Sequence, residues 1–202
     1  MLNQIRPTLV ILIALTLLTG LGYPLAMTGV AGVLFPYQAQ GSLVLDKDGH
    51  TIGSELIGQN FTSDRYFHGR PSATTEPDPK DPTKTVPTPY AADSSEASNY
   101  GPTNKALIDR VQGDLDKLKA ENPGVPVPMD LVTTSASGLD PHISPEAALF
   151  QVPRVAKTRK VPADRVQALV QDHVEGRTFG LFGEPRVNVL ALNVALEALA
   201  PK

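Results

Sequence analysis

From Pro7 to Leu45 the chain carries no charged residue, whereas from Asp46 onward charges recur throughout. The apolar run Leu9–Leu18 is followed by small and apolar residues as far as Phe35. A helix over residues 7–35 would be roughly 43 Å long at about 1.5 Å per residue, against a hydrocarbon core of roughly 30 Å. This pattern predicts a single membrane crossing, with a turn or two projecting beyond it. No second apolar run approaches that length.

Beyond the anchor the periodicity changes. Ser42–Leu45 and Thr51–Gly53 flank Asp46-Lys47-Asp48-Gly49, which predicts a β-hairpin with glycine at a positive-φ turn position. Leu56–Phe61 reads as a continuation of that β region. Residues 74–94 hold five prolines and little that packs, so a loop or a polyproline wrap is expected there. Leu107, Ile108, Val111, Leu115 and Leu118 share one face of a helix over about Thr103–Glu121.

Val127–Ser135, β-branched and bounded by prolines, reads as a strand. Ser144-Pro145-Glu146 is a helix start, with serine as N-cap and proline at the first helical position. Pro153 is expected to kink or end that helix. Val161–Val174 reads as a further amphipathic helix, and Arg186–Leu190 as a strand leading into a closing helix over Leu192–Leu199. Strands and helices mix without a regular βαβ rhythm, so the expected class is α+β. The expected organisation is a short cytoplasmic N-terminus over residues 1–6, a membrane helix over 7–35 bent at Pro24, and one periplasmic domain over 36–202.

Charge sets the orientation. The amino terminus and Arg6 make the short flank positive, which favours keeping it cytoplasmic and the long segment outside. A cleaved signal peptide is the competing reading. The apolar stretch is longer than an ordinary signal h-region, however, and no clean small-x-small site follows Leu18. The 202 residues include no cysteine, so neither a lipoprotein anchor nor a disulfide is available, and an outer domain must rest on its own core. Apart from Arg6, 17 basic residues face 21 acidic ones, a net charge of −4 without the basic stripe that nucleic acid requires.

Within the anchor, Thr16 and Gly20, Gly22 and Ala26, and Thr28 and Gly32 are small residues four apart, a spacing that lets helices approach closely in lipid. Tyr23 and Tyr37 are candidates for the membrane interfaces. Both a packed helix and a lone tether fit this pattern.

Candidate chemistry is sparse. His50, His68, His142 and His173 lie far apart with no cysteine partner. Asp140, His142 and Glu146 offer metal-ligand types, but Pro141 and Pro145 frame them as a rigid turn. Ser135, Ser137, Asp140 and His142 contain the residue types of a hydrolytic triad. Neighbours on one turn rarely converge as a triad must, and no Gly-x-Ser-x-Gly elbow is present. There is no phosphate-binding Gly-x-x-x-x-Gly-Lys loop. The residues alone describe an anchored α+β domain without an evident active site. That favours an accessory subunit over a membrane-anchored periplasmic hydrolase or an unrelated scaffold or sensor.

Six collinear segments resemble one family. They are Gly58–Phe61, Tyr66–Ala73 (YFHGRPSA), Ser98–Asn104 (SNYGPTN), Asp130–Pro145 (DLVTTSASGLDPHISP), Gln151–Ala156 and Gly183–Leu190 (GEPRVNVL). In order and spacing, behind a single N-terminal membrane helix, they are similar to the C subunit of the Kdp-type potassium-transporting ATPase. The resemblance covers essentially Arg6 to Leu199.

It implies a bacterial inner-membrane complex that imports K⁺ using ATP, with a channel-like A subunit, a P-type ATPase B subunit and a small F subunit as partners. The C subunit is implied to stabilise assembly and to raise the ATP affinity of the B subunit, a catalytic-chaperone role. ATP and K⁺ are then handled by partner subunits, with no cofactor and no catalytic residue expected on this chain. Coupling to ATP from outside must pass through the helix and the neighbouring subunits.

The motif residues read as structural or subunit-contact positions. Gly69, Gly101 and Gly138 suit turns, Asn99, Asn104 and Asn188 suit caps or backbone hydrogen bonds, and Asn193 is a further structural or subunit-contact candidate. Arg70, Arg154 and Arg186 suit ion pairs. Tyr66, His68, Pro71, Ser137, Asp140 and Pro141 complete the set.

Overall fold

A computed structural model describes residues 2–199. The chain divides into two compact units, Met1–Ser54 and Glu55–Lys202.

The first unit is dominated by one continuous helical rod, Ile5–Leu34, of 30 residues. It comprises α1 (Ile5–Leu17), a π-helical turn (Leu18–Gly22) and α2 (Tyr23–Leu34), and no side chain along it is buried. By length and composition this rod can cross a membrane. The irregularity expected after Tyr23 lies before it. Pro24 has no N–H to donate to the Gly20 carbonyl and its ring crowds that group. The preceding turn widens accordingly, with Tyr23 N–H donating to Leu18 O five residues back.

A short α3 (Pro36–Ala39) follows, and then β1 (Leu43–Leu45) pairs antiparallel with β2 (Thr51–Ser54). Their turn is the expected one, with Gly49 at φ +84°. Asp46 closes it by accepting from the backbone N–H groups of Asp48 and His50 at 2.9 and 2.8 Å. The Ser54 hydroxyl donates to Gly41 O at 2.7 Å, which fastens this hairpin to the foot of the rod.

The second unit is α+β. In order it contains β3 (Thr75–Asp78), β4 (Asp81–Pro87), α4 (Lys105–Glu121), a 3₁₀ turn (Met129–Leu131), β5 (His142–Ile143), α5 (Pro145–Arg159), α6 (Ala163–Asp172), β6 (Val174–Glu175), β7 (Arg186–Asn188) and α7 (Val189–Glu197). The strands form a β3-β4 hairpin and a small antiparallel sheet, β5-β7-β6. The core lies where α5, α6 and α7 meet this sheet. Val155, Val166, Val170, Val187, Leu192 and Leu196 are completely buried there, together with Phe67 from the loop before β3.

Helix starts follow local chemistry. Ser144 Oγ accepts from Ala147 N–H at 3.0 Å, with Pro145 at the first helical position, as expected. Asn104 and Asn188 cap α4 and α7 in the same way.

Three expectations fail. Leu56–Phe61 forms no regular strand. Residues 74–94 are not a loop but contain the β3-β4 hairpin, paired from Thr75↔Pro87 to Asp78↔Asp81. Val127–Ser135 is not a strand: Met129–Leu131 wind into a 3₁₀ turn, and the carbonyls of Val132, Thr133 and Thr134 in the loop after it accept from the side chains of Arg110 and Arg70. Of the two effects expected of Pro153, the ending does not occur, since α5 runs through it to Arg159. The helix predicted for Val161–Val174 is confined to α6, and on α4 Ile108 is exposed while Leu107, Val111, Leu115 and Leu118 are half-buried.

Candidate functional site

The motif segments converge around the loop Tyr66–Ser72, held from three sides. Asn193 on α7 is buried and clamps Phe67 by both amide ends. Its Oδ1 accepts from Phe67 N–H at 2.8 Å and its Nδ2 donates to Phe67 O at 2.9 Å. Gln151 on α5 does the same for His68, accepting from the N–H at 2.8 Å and donating to the carbonyl at 3.1 Å. Two side-chain amides thus replace the ladder that a strand would have given this buried backbone.

Arg154, one turn further along α5, is only 10% exposed and ties four partners together. Nε donates to Glu121 Oε1 at 2.8 Å, Nη1 to Asp64 O and Tyr66 O at 2.7 and 3.0 Å, and Nη2 to Gln151 Oε1 at 2.6 Å. Glu121 is the last residue of α4, so this fork joins α4 and α5 to the motif loop. Arg70 does comparable work at the other end. It pairs with Asp140 at 3.2 Å and donates to the carbonyls of Thr133 and Thr134 at 3.4 and 3.2 Å.

Tyr90 closes the arrangement. Its hydroxyl donates to Arg70 O at 2.7 Å, and burial pushes that hydroxyl up to about 12. A Cβ at Gly58 would overlap its ring, and one at Gly69 its hydroxyl, so both glycines are required by close approach rather than by φ. Gly138 is required by both, with φ +68° and Thr74 and the Glu96 carbonyl against it.

A cleft of about 660 Å³ opens among these groups, lined by His68, Arg70, Pro71, Tyr90, Arg110 and Arg154. Nε and Nη2 of Arg110 are buried without a hydrogen-bond partner, while Nη1 reaches Asp114 and Val132 O. Burial, reinforced by the Arg154 cation, holds the His68 imidazole below its ordinary 6.5, against the Ser63 carbonyl that it reaches at 3.1 Å. Asp140 is raised by burial but lowered more by the His142 side chain and N–H and by Arg70, so it stays below the usual carboxylate range.

His68 therefore predicts a specific pH response. The folded state prefers the neutral ring, so as pH falls below about 6.5 the unfolded chain takes up a proton first and stability drops. The urea midpoint of the full chain is expected to fall between pH 7.5 and 5.5, and His68→Gln to flatten that slope. Asp140 titrates lower, outside this window. An unchanged slope in the variant would remove His68 as its source.

The remaining sequence candidates are placed as follows. The Tyr66 ring lies against the guanidinium groups of Arg65 and Arg159, 5.4 and 5.1 Å from its centroid. Asn188 Nδ2 donates to Glu55 O, and Pro141 O accepts from Val189 N–H. Asn104 serves as a cap, Asn99 sits at φ +52° and bonds only locally, and nothing crowds Gly101. Arg186 forms an exposed pair with Glu175.

The triad residue types do not assemble. Ser135 Oγ accepts from Gly138 N–H and Ser137 Oγ from Leu139 N–H, and among the described residues no hydrogen bond joins either serine to His142. Asp140, His142 and Glu146 line a shallow groove beside Arg70. Their ligating atoms do not come within 4.8 Å of one another as a set. Among the described residues only Asp46, Asp48 and His50 do so, exposed on the β1-β2 turn. Thr16, Gly20, Gly22 and Ala26 lie on the exposed rod.

Sequence reasoning missed Gln151, Tyr90, Arg110 and Glu121. The only available signal was Tyr90, the one aromatic residue of the proline-rich segment 74–94.

Comparison with known proteins accounts for this convergence. The family model described as "K+-transporting ATPase, c chain" matches residues 5–198. The chain belongs to the KdpC family. The potassium-transporting ATPase KdpC subunit of Methylobacterium nodulans is 67% identical over 202 residues, all of both chains. That of Rhodopseudomonas palustris BisB18 is 70% identical over 198 residues, 98% of this chain and 99% of its own. That of Bradyrhizobium diazoefficiens is 67% identical over the full length of both. In this KdpC-family chain Gln151 and Arg154 of one family-like segment, with Asp140, Thr133 and Thr134 of another, bond to the loop Tyr66–Ser72.

Proposed function

We propose that this chain is a non-catalytic accessory subunit of a high-affinity, ATP-driven potassium import complex. It assembles with a channel-like A subunit, a P-type ATPase B subunit and a small F subunit. The N-terminus is cytoplasmic, the rod Ile5–Leu34 spans the inner membrane, and the second unit is periplasmic. The chain stabilises the assembly and raises the ATP affinity of the B subunit indirectly. The pairs Thr16 and Gly20, and Gly22 and Ala26, are the positions at which neighbouring membrane helices approach the rod.

The observation that carries this reading is how the motif side chains are used. Asn193, Gln151, Arg154 and Arg70 bond to the chain's own backbone and carboxylates, which supports a brace rather than a reaction centre. The tested outcome is recovery. Gentle detergent purification of the tagged full chain is expected to bring down a P-type ATPase, identified by mass spectrometry. A monomer without any P-type ATPase would sink the reading. Because the chain has no cysteine, a single cysteine at Thr88 should react with a membrane-impermeant maleimide in intact spheroplasts. Labelling only after lysis would invert the proposed topology.

A further inference from the structure

Between β6 and β7 the chain presents an apolar tip. Phe179 is 90% exposed, Leu181 74% and Phe182 68%, and Phe179 is the most exposed large apolar side chain among the described residues. The tip is a built turn. Thr178 and Phe182 exchange backbone hydrogen bonds at 2.9 and 3.0 Å, and Gly180 N–H donates to Arg177 O at 3.0 Å. Gly180 and Gly183 take positive φ, and Phe179 itself sits at φ +55°, a left-handed conformation that an aromatic residue rarely adopts. Below the tip, Arg177 pairs with Glu184 at 2.6 Å and Arg186 with Glu175 at 3.0 Å. Three large apolar groups are therefore held outward on a hydrogen-bonded stem and stand exposed among the described residues.

We propose that the Phe179–Phe182 turn is a plug that inserts into an apolar recess on another subunit of the potassium-transporting complex. This rests on the accessory-subunit reading. Two features choose that occupant. The stem charges cancel in pairs and no lysine lies between residues 161 and 199, so the tip lacks the cationic surplus that favours anionic lipid surfaces. Its area is also too small to hold a second copy alone. Large aromatic side chains bury about 150–250 Å² each, whereas a stable pair needs about 800 Å² per partner. A chain already confined to a complex by its membrane helix needs far less, because the second contact forms at high effective concentration.

The test uses the full chain co-expressed with its complex. A benzoylphenylalanine photo-crosslinker in place of Phe179 is expected to give an adduct with another subunit. Replacing Phe179, Leu181 and Phe182 together by serine is expected to lower retention in the purified complex at least tenfold. The melting temperature of the chain should hold, since all three side chains are exposed. An adduct with lipid or with a second copy, or undiminished retention of the triple variant, would overturn the plug while leaving the accessory reading standing. Failure of the unmodified chain to retain a P-type ATPase would overturn both.

Discussion

Arg154→Ala is expected to lower the stability of the second unit by about 3–5 kcal/mol, the range for removing one partner of a largely buried charge pair. The size follows from what is left behind. Glu121 loses its cation at 2.8 Å, and the carbonyls of Asp64 and Tyr66 lose their donor, the second of them in a half-buried position. For a domain of this size such a loss corresponds to a fall in melting temperature of roughly 10 °C. Arg154→Lys should recover little, because an ammonium cannot reproduce a planar fork that serves two backbone carbonyls, a carboxylate and an amide at once. Glu121→Gln should cost less, since the fork keeps its other partners. Thermal melts of the full chain in detergent test the order alanine ≥ lysine > Glu121→Gln. A melting temperature for Arg154→Ala within 2 °C of the parent would show that the fork is dispensable.

What the sequence conveyed and what it concealed divide along a physical line. Signals closed within a few residues were legible. Ser144-Pro145 starts α5, Asn104 and Asn188 cap helices, and Asp46-Lys47-Asp48-Gly49 turns the first hairpin. Each depends on a backbone group that a neighbour satisfies. The β3-β4 hairpin was not legible because its five neighbouring prolines argue against a strand. A two-stranded hairpin has one ladder, so a proline whose nitrogen faces away from the partner loses no bond. The β-branched run around Val132 misled for the opposite reason. Its propensity is strand-like, but the carbonyls of Val132, Thr133 and Thr134 receive donors from Arg110 and Arg70 instead of from a neighbouring strand.

The site was legible only in part. Arg70 and Arg154 were readable as ion-pair formers, since a guanidinium in a soluble core needs carboxylates and carbonyls. Their partners were not, because Asn193 meets Phe67 across 126 positions and Arg154 meets Asp64 across 90. No local spacing encodes such pairings. Tyr90 was hidden by its surroundings, although the glycines it excludes side chains from, Gly58 and Gly69, both lie in family-like segments.

On the proposed reading, the purified chain alone is expected to bind ATP negligibly, while ATP tightens its hold on the rest of the complex. The chain and ATP occupy opposite sides of the membrane in that proposal, so their only common currency is a coupling free energy. Coupling between two binding events is reciprocal. If the chain raises the ATP affinity of the B subunit by some factor, ATP must raise the affinity of the complex for the chain by the same factor. Couplings of this kind are commonly about 5–150-fold. A non-hydrolysable ATP analogue should therefore slow or reduce dissociation of the chain from detergent-solubilised complex by the factor found when ATP affinity is compared with and without the chain. Serine substitutions at the 179–182 tip should shrink both factors together, because a contact that differs between states can bias the complex only through the energy it contributes to one of them. Micromolar ATP binding by the chain alone in calorimetry, lost on a single substitution, would replace this indirect mechanism with a direct one. Turnover changed by the chain with no change in ATP affinity would show that the chain acts on the rate of the cycle rather than on the binding of ATP.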